Sequence, residues 1–370
     1  MSKGVPKMYE EEKVYRELQQ HLDRQAVAFP AAQSGAEIRI LKRLFKPEEA
    51  RLATHLSYKP RSVQQIYETV KASGISLKDM EHMLDAMMKN GVIELIEREG
   101  TRYFPNLPFI VGIYERQLYK FTPESLAEFE EYSTGLDFGL AFLNSGMSQM
   151  RTIPVEASIP FDRHVTTYDH LTEIISETNG PFAVVECTCR KAASMKGNPC
   201  KKTSRIETCL SLGNWAKFAI RSGQGRVISK EEAIEITRQN EADGLVLQPS
   251  NTQKVEFICA CCGCCCGMLS AHKMLPKPID FWSSNYYVAI NSETCNECGV
   301  CIERCQVNAL NIDEGLGIAV VNLDRCIGCG NCVAPCPLKA ISLLKKEKEI
   351  VPPVDSESLY DTIMTKRKGR

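Results

Sequence analysis

The chain divides into a first part with helical repeats of apolar residues and a later part in which short apolar runs stop at cysteine. A charged helix is expected over residues 10–24. Then EIRILKRLF opens a short helix, and KPEEARLATHLSY forms a second, entered at Pro47. SVQQIYETVKASG predicts a third, with Ser62 as N-cap and Gly74 as its stop. SLKDMEHMLDAMMKNG predicts a fourth, ending at Gly91, with Met80, Met83, Leu84, Met87 and Met88 on one face. VIELIEREGTRYF alternates around Glu99-Gly100, as a β-hairpin does. Residues 112–150 carry IYERQLYKF and PESLAEFEEYSTGLDFGLAFL, expected as two linking helices. Pro123 opens the second of these and Glu124 sits in its first turn.

Beyond residue 150 the pattern changes. IPVEASIP reads as an extended lead-in, and TYDHLTEIISETNG as a helix closed by Gly180. FAVVEC is a short apolar strand that delivers Cys187 and Cys189. CLSLGNWAKFAIRSG reads as a helix running from Cys209. SKEEAIEITRQNEADG has a capping box, Ser229 with Glu232, and ends at Gly244. KVEFIC is a second strand, delivering Cys259. Two strands that both end in thiols predict that their cysteines meet in space.

Helices followed by a hairpin over residues 36–110 look like a winged helix. The supposed recognition helix argues against DNA. It carries Lys78 and Lys89 against Asp79, Glu81 and Asp85, whereas phosphate contacts need Lys and Arg. A dimerisation or docking module is the expected role.

At 370 residues the chain has room for two or three domains. A net charge of −1 gives no bias toward nucleic acid or acidic lipid. The start, MSKGVPKMYEEEKVY, has no apolar signal region, and no long apolar run follows. The expectation is a cytoplasmic protein without a membrane span. Its 18 cysteines then point to metal binding rather than disulfides, in an oxygen-poor setting where thiols survive.

Eight of these cysteines follow one rule. CNECGVCIERCQ from Cys295 and CIGCGNCVAPCP from Cys326 both read C-x2-C-x2-C-x3-C. Structural zinc sites show two separated C-x2-C pairs instead. The double run resembles a bacterial two-cluster ferredoxin domain, covering roughly residues 286–345. The resemblance implies two [4Fe–4S] clusters. One would be held by Cys295, Cys298, Cys301 and Cys336, the other by Cys326, Cys329, Cys332 and Cys305. One position departs from the pattern: Cys336 is followed by Pro337, but Cys305 by Gln306. Proline supplies no ligand, so the cluster remains expected.

Ten further cysteines lie upstream. Cys187, Cys189, Cys200 and Cys209 are spread out. Cys259, Cys261, Cys262, Cys264, Cys265 and Cys266 are packed into CACCGCCC. Neighbouring residues on a strand point to opposite faces, so one site cannot use all six. Gly263 and Gly267 allow tight turns. Arg190, Lys191, Lys196, Lys201, Lys202 and Arg205 flank the first set and favour thiolates. A third, non-ferredoxin iron–sulfur cluster, a zinc site and a redox-active dithiol all stay open. ECTCR, NPCKKT, CLSLG and ICACCGCCCG together look like a domain that precedes ferredoxin modules in iron–sulfur proteins of anaerobes, which implies metal and redox chemistry. Cys261-Cys262-Gly263 is similar, at different spacing, to the Cys-Cys-Gly motif of heterodisulfide reductase subunits. His164, His170 and His272 are expected as surface or satisfied residues. There is no phosphate-binding loop, and Gly223-Gln224-Gly225 lacks the third glycine of a dinucleotide site.

The expected fold is α+β and multidomain: a helical extension (1–35), a winged-helix-like domain (36–110), a helical linker (111–150), an α/β Cys-rich middle domain (151–285), a ferredoxin-like dicluster domain (286–346) and a tail (347–370). The expected function is single-electron transfer through two [4Fe–4S] clusters, to a redox protein partner or to a further metal centre in the middle domain. Two alternatives accompany it: an oxidoreductase with its own substrate at the middle-domain cysteines, and a redox-sensing winged-helix regulator. Homo-oligomers through the N-terminal module fit either picture.

Overall fold

The computed structural model describes residues 7–159 and 167–368; His164 lies outside them. These residues divide between two bodies, one up to Gly146 together with those from Tyr360 on, the other Met147–Leu359.

The first body is mainly helical. Its helices are α1 (Lys7–Asp23), α2 (Ala36–Leu44), α3 (Pro47–Ala53), α4 (Val63–Val70), α5 (Leu77–Asn90), α6 (Pro123–Ser133) and α7 (Leu136–Leu143). Helix α5 forms where the sequence says it should. Ser76 Oγ accepts from Asp79 N at its start, and Gly91 ends it in the left-handed region that glycine tolerates. Met80, Leu84 and Met87 are fully buried beside Leu18, Ile40, Leu41 and Ile66, so the methionine stripe is core. Val14, Leu18 and Leu22 of α1 belong to the same core. Strands β1 (Ile96–Arg98) and β2 (Thr101–Tyr103) pair antiparallel. Arg102 of β2 reaches back to Asp85 at 2.7 Å and Glu81 at 3.2 Å on α5.

The helix expected over IYERQLYKF does not form. Phe109–Ile113 makes one wide turn, and only a short 3₁₀ turn, Glu115–Gln117, follows. The Glu115 carboxylate accepts from Gly112 N at 2.7 Å, and Val111 sits at a left-handed φ of 53°. The non-helical backbone at Ile110, Val111 and Gly112 interrupts the chain just before this segment. The turn places Phe109 edge-on against Phe29, Phe129 and Tyr132.

The second body is built on a five-stranded antiparallel sheet of order β5-β3-β4-β7-β6. Its strands are β3 (Phe182–Glu186), β4 (Glu207–Leu212), β5 (Gly225–Ile228), β6 (Val246–Pro249) and β7 (Phe257–Cys261). The accompanying helices are α8 (Leu171–Glu177), α9 (Thr188–Met195), α10 (Gly213–Arg221), α11 (Lys230–Ala242) and α12 (Gly267–Met274). On one face, Leu210, Leu212 and Ile258 pack with Ile174 and Ile175 of α8 and with Ala233 and Ile236 of α11. On the other, Ala183 packs with Ala216 and Ala219 of α10.

Cys209 departs from its expected place. It lies inside β4, opposite Val185 of β3, and α10 starts only at Gly213. TCLSL is buried along most of its length, as a strand with partners on both sides is, and pairing to β3 and β7 outweighs its local helical pattern. The expected extended lead-in is broken by a 3₁₀ turn at Glu156–Ser158.

The same body continues into β8 (Tyr286–Ile290), α13 (Val300–Arg304), β9 (Leu310–Asp313), β10 (Ile318–Val321) and β11 (Ile341–Lys345). β8 pairs with β11 and β9 with β10, both antiparallel. This region has the mixed make-up of a ferredoxin-like domain. It is fastened to the sheet by many backbone contacts. Val155 N donates to Cys329 O at 3.0 Å, Ser158 Oγ to Gly330 O at 2.8 Å, and Arg304 to the carbonyls of Ala242 and Glu241. A last helix, α14 (Ser356–Lys368), occupies the expected tail. No helix among the described residues is long and apolar enough to cross a membrane.

Glu241 at the end of α11 accepts from Glu156 N at 2.9 Å, and burial pushes its carboxyl up to about 7 from an ordinary 4.5. The folded value exceeds the unfolded one. Its contribution to stability is therefore fully present below 4.5 and is lost as pH rises through about 7. Melting of the anaerobic holoprotein between these limits should show this decline, and Glu241→Gln, which keeps the accepting oxygen, should flatten it.

Candidate metal centres

Strand β7 sorts the cysteines. Side chains alternate across a strand, so Cys259 and Cys261 leave one face of the sheet, and Ala260 and Cys262 the other. Cys262 is buried with Leu210 and Ala260, and Cys200 and Cys265 pack against that cluster. Cys261 and Cys266 instead share a buried cluster with Cys301, Cys326 and Cys332 of the ferredoxin-like region.

On the first face, four thiols converge. Cys200, Cys262, Cys264 and Cys265 have all their sulfurs within 4.8 Å of one another. Cys200 Sγ is 3.5 Å from Cys262 and 3.8 Å from Cys264, and Cys264 is 3.5 Å from Cys262 and 3.7 Å from Cys265. A tetrahedral ion with metal–sulfur bonds of about 2.3 Å sets its sulfurs roughly 3.8 Å apart. The four are spaced for a single ion. Cys264 is exposed and Cys262 buried. Burial pushes the Cys200 thiol up, but the backbone N–H groups of Lys202 and Thr203, with Cys262 and Arg190, hold it down at about 7.

On the second face, six thiols lie next to one another round a ring, more loosely than the Cys200 group. Cys187 contacts Cys189 and Cys209, and Cys209 contacts Cys259. Cys259 contacts Cys261, Cys261 contacts Cys266, and Cys266 returns to Cys189. Each position follows from the fold. Leu210 pairs with Ile258, which puts Cys209 and Cys259 side by side. Cys187 is the N-cap of α9 and Cys266 the N-cap of α12. Two helix N-termini thus lend partial positive charge to the ring. The neighbouring Cys187 and Cys259 thiols, with Arg190 beside them, hold Cys209 well below the usual thiol range.

Arg190 stands between the two groups. It is 3% exposed and donates to Thr208 Oγ1 and, at 2.8 Å, to Ala260 O. It also donates to Cys200, with Cys187, Cys209 and Cys262 nearby. The neighbouring cations are used differently: Lys191 pairs with Glu186 at 2.8 Å and Arg205 with Asp243 at 3.0 Å. The histidines take other roles. Burial pushes His272 down to about 4, and it packs edge-on against Trp282; His170 lies 3.1 Å from Glu156.

In the ferredoxin-like region two recesses are lined by four cysteines each. Cys295, Cys298, Cys301 and Cys336 face one, with Ala319 and Ile341. Cys305, Cys326, Cys329 and Cys332 face the other, with Val288 and Ile327. Backbone N–H groups donate to the sulfurs: Ala319 to Cys295 at 3.4 Å, Ala309 to Cys305 at 3.2 Å and Ala340 to Cys336 at 3.3 Å. Among the described residues, neither set draws three sulfurs within 4.8 Å of one another, in contrast to the Cys200 group. Thiols spread round a recess suit a multi-atom cluster, and amide donors to sulfur suit its negative charge.

Gln306, out of pattern in the sequence, joins these regions. Its Oε1 accepts from Gly263 N at 2.9 Å, and its Nε2 donates to Gly244 O at 3.3 Å. Gly263 O in turn accepts from Lys273 at 2.8 Å, and Lys202 donates to Glu303 O at 2.9 Å. The CCGCCC loop is therefore held by the residue that follows Cys305. A proline at 306 has no side-chain amide to offer.

Residues 287–337 match the 4Fe-4S dicluster domain family. No curated protein and no solved structure matches the chain. The match makes iron–sulfur binding a property of this region, and iron–sulfur electron transfer the chemistry it supports.

A Cβ on Gly263 would lie 2.3 Å from Gln306 O and 2.6 Å from Lys273 Nζ. Gly263→Ala should therefore cost about 1–3 kcal/mol, read as a lower melting temperature. Gly267→Ala, where a Cβ meets nothing within 4 Å, should melt like the parent.

Proposed function

We propose that the chain is an iron–sulfur electron-transfer protein whose dicluster region exchanges electrons with a metal centre in the middle domain. Cys295, Cys298, Cys301 and Cys336 would hold one [4Fe–4S] cluster, and Cys326, Cys329, Cys332 and Cys305 the other. Cys200, Cys262, Cys264 and Cys265 would hold a single iron ion on the middle-domain side, which, unlike zinc, can take an electron. When bound, the clusters supply one-electron redox chemistry. The chain's own groups hold and tune them: the amides of Ala309, Ala319 and Ala340 donate to ligand sulfurs, and Arg190 offsets thiolate charge.

The observation that carries this reading is the hydrogen bond from Gly263 N to Gln306 Oε1. It runs from the loop that bears Cys262 and Cys264 to the residue next to Cys305. Two thiol sites are thereby held together through one half-buried contact. The Cys298 end, whose thiol is exposed, is the natural entrance for a redox protein partner.

Residues 36–110 are read as a winged-helix-like docking or dimerisation module. Arg102 of the hairpin is spent on Asp85 and Glu81 of α5. The face that would meet phosphates thus carries carboxylates and a neutralised guanidinium, which speaks for a protein partner over DNA.

Cys295→Ser and Cys326→Ser test the ligand sets. Each variant should lose one cluster's EPR signal after anaerobic reduction and keep the other, and two intact signals in both would refute the assignment. Gln306→Ala tests the link. It leaves Gly263 N–H without its partner at about 1–3 kcal/mol, while Gly244 O keeps the bond from Asn331. Stopped-flow reduction should then show both clusters reduced as before and the middle-domain centre reduced more slowly. Unchanged kinetics would remove Gln306 from the electron route.

A further inference from the structure

We propose that the ring of Cys187, Cys189, Cys209, Cys259, Cys261 and Cys266 holds a polynuclear iron–sulfur cluster of its own, separate from the metal at Cys200, Cys262, Cys264 and Cys265. The ten upstream cysteines are thus two centres, not one, and they differ in kind. This goes beyond the electron-transfer reading and needs only metal and sulfide content to decide it.

The geometry separates the two. At the four-thiol site every sulfur lies within 4.8 Å of every other, as one tetrahedral ion requires. The ring is looser: the β4–β7 register sets Cys209 beside Cys259, and the thiols follow one another round the circle without the close spacing of the four-thiol site. No three of its sulfurs form such a group among the described residues. With metal–sulfur bonds of about 2.3 Å, ligand sulfurs on one ion lie at most roughly 4.6 Å apart. No single ion collects three ring thiols. A ring of this size is filled by several metal atoms that share non-protein bridges. Soft all-thiolate donors select zinc, copper(I) or iron–sulfur clusters. A single zinc ion needs the tight foursome that the ring lacks, and zinc or copper(I) held by thiolates alone would need those thiolates shared closely between ions. In iron–sulfur clusters inorganic sulfide supplies the remaining bonds, so protein thiolates can stand apart, as they do round the two recesses of the dicluster region.

The surroundings fit a negatively charged cluster below the surface. Cys187, Cys261 and Cys266 are buried. The N-termini of α9 and α12 meet the ring through Cys187 and Cys266. Arg190 lies beside Cys187 and Cys209. Cys261 and Cys266 also share a buried cluster with the cysteines of the second dicluster recess.

The test is iron, zinc and acid-labile sulfide on anaerobic holoprotein, with Mössbauer spectra of the iron. Two [4Fe–4S] clusters account for roughly eight irons and eight sulfides per chain. The wild type should exceed both. Cys209→Ser and Cys261→Ser should bring sulfide back to roughly eight and keep the EPR signals of the dicluster region, which also report folding. Cys264→Ser, at an exposed position, should lose one metal ion and keep the excess sulfide. Wild-type sulfide without excess would overturn the proposal. So would loss of the excess in Cys264→Ser, or its survival in both ring variants. If the ring variants fail to fold, the wild-type count and Cys264→Ser decide.

Discussion

Everything at the middle domain depends on the alternation of side chains along β7. Successive residues of a strand face opposite ways, so a run of cysteines through Cys259–Cys262 cannot serve one metal. Cys259 and Cys261 turn to the face shared with the dicluster region, and Cys262 to the face covered by α8 and α11. After Cys262 the chain turns at Gly263, and the same division repeats: Cys264 and Cys265 join one group, and Cys266, capping α12, the other. A dense thiol sequence thereby becomes two ordered sets separated by the thickness of a strand.

The middle domain and the dicluster region are joined through polar contacts to backbone rather than through an apolar seam alone. Gln306, Arg304, Asn331 and Ser158 all bond carbonyls or amides across it. Such contacts fix distance and register more tightly than apolar packing, because a hydrogen bond weakens steeply when its geometry slips. For electron exchange, fixed separation matters more than affinity. Gln306 stands where the ferredoxin pattern has proline, after Cys305, and its side chain reaches the thiol loop.

Much of this was legible in the sequence. Spacing alone isolated the eight ferredoxin-type cysteines. The caps at Ser76 and Gly91 and the methionine stripe placed α5 and its buried face. Strands ending in thiols announced that the upstream sets meet. The rest depended on tertiary context. Cys209 looked helical because LSLGNWAKFAI has a helical repeat, but the central position of β4 between β3 and β7 decides its state. The division of ten thiols into four and six needs the sheet's register, which no local pattern encodes. Gln306 was visible as an irregularity, yet its partner, Gly263, lies far upstream. IYERQLYKF keeps only a short turn, Glu115–Gln117, and no local pattern marks the non-helical backbone at Ile110, Val111 and Gly112 just before it.

The clasp on Gly263 also bears on how the protein is made. A chain emerges from its N-terminus, so the thiol loop exists before the residue that anchors it. Until residues 303–306 have been synthesised and folded, Gly263 N–H has no Gln306 to hold it, and Cys262 and Cys264 have no fixed orientation. The thiol loop is thus translated before the residue that clasps it, and a chain truncated before residue 303 would carry every upstream thiol yet lack that contact.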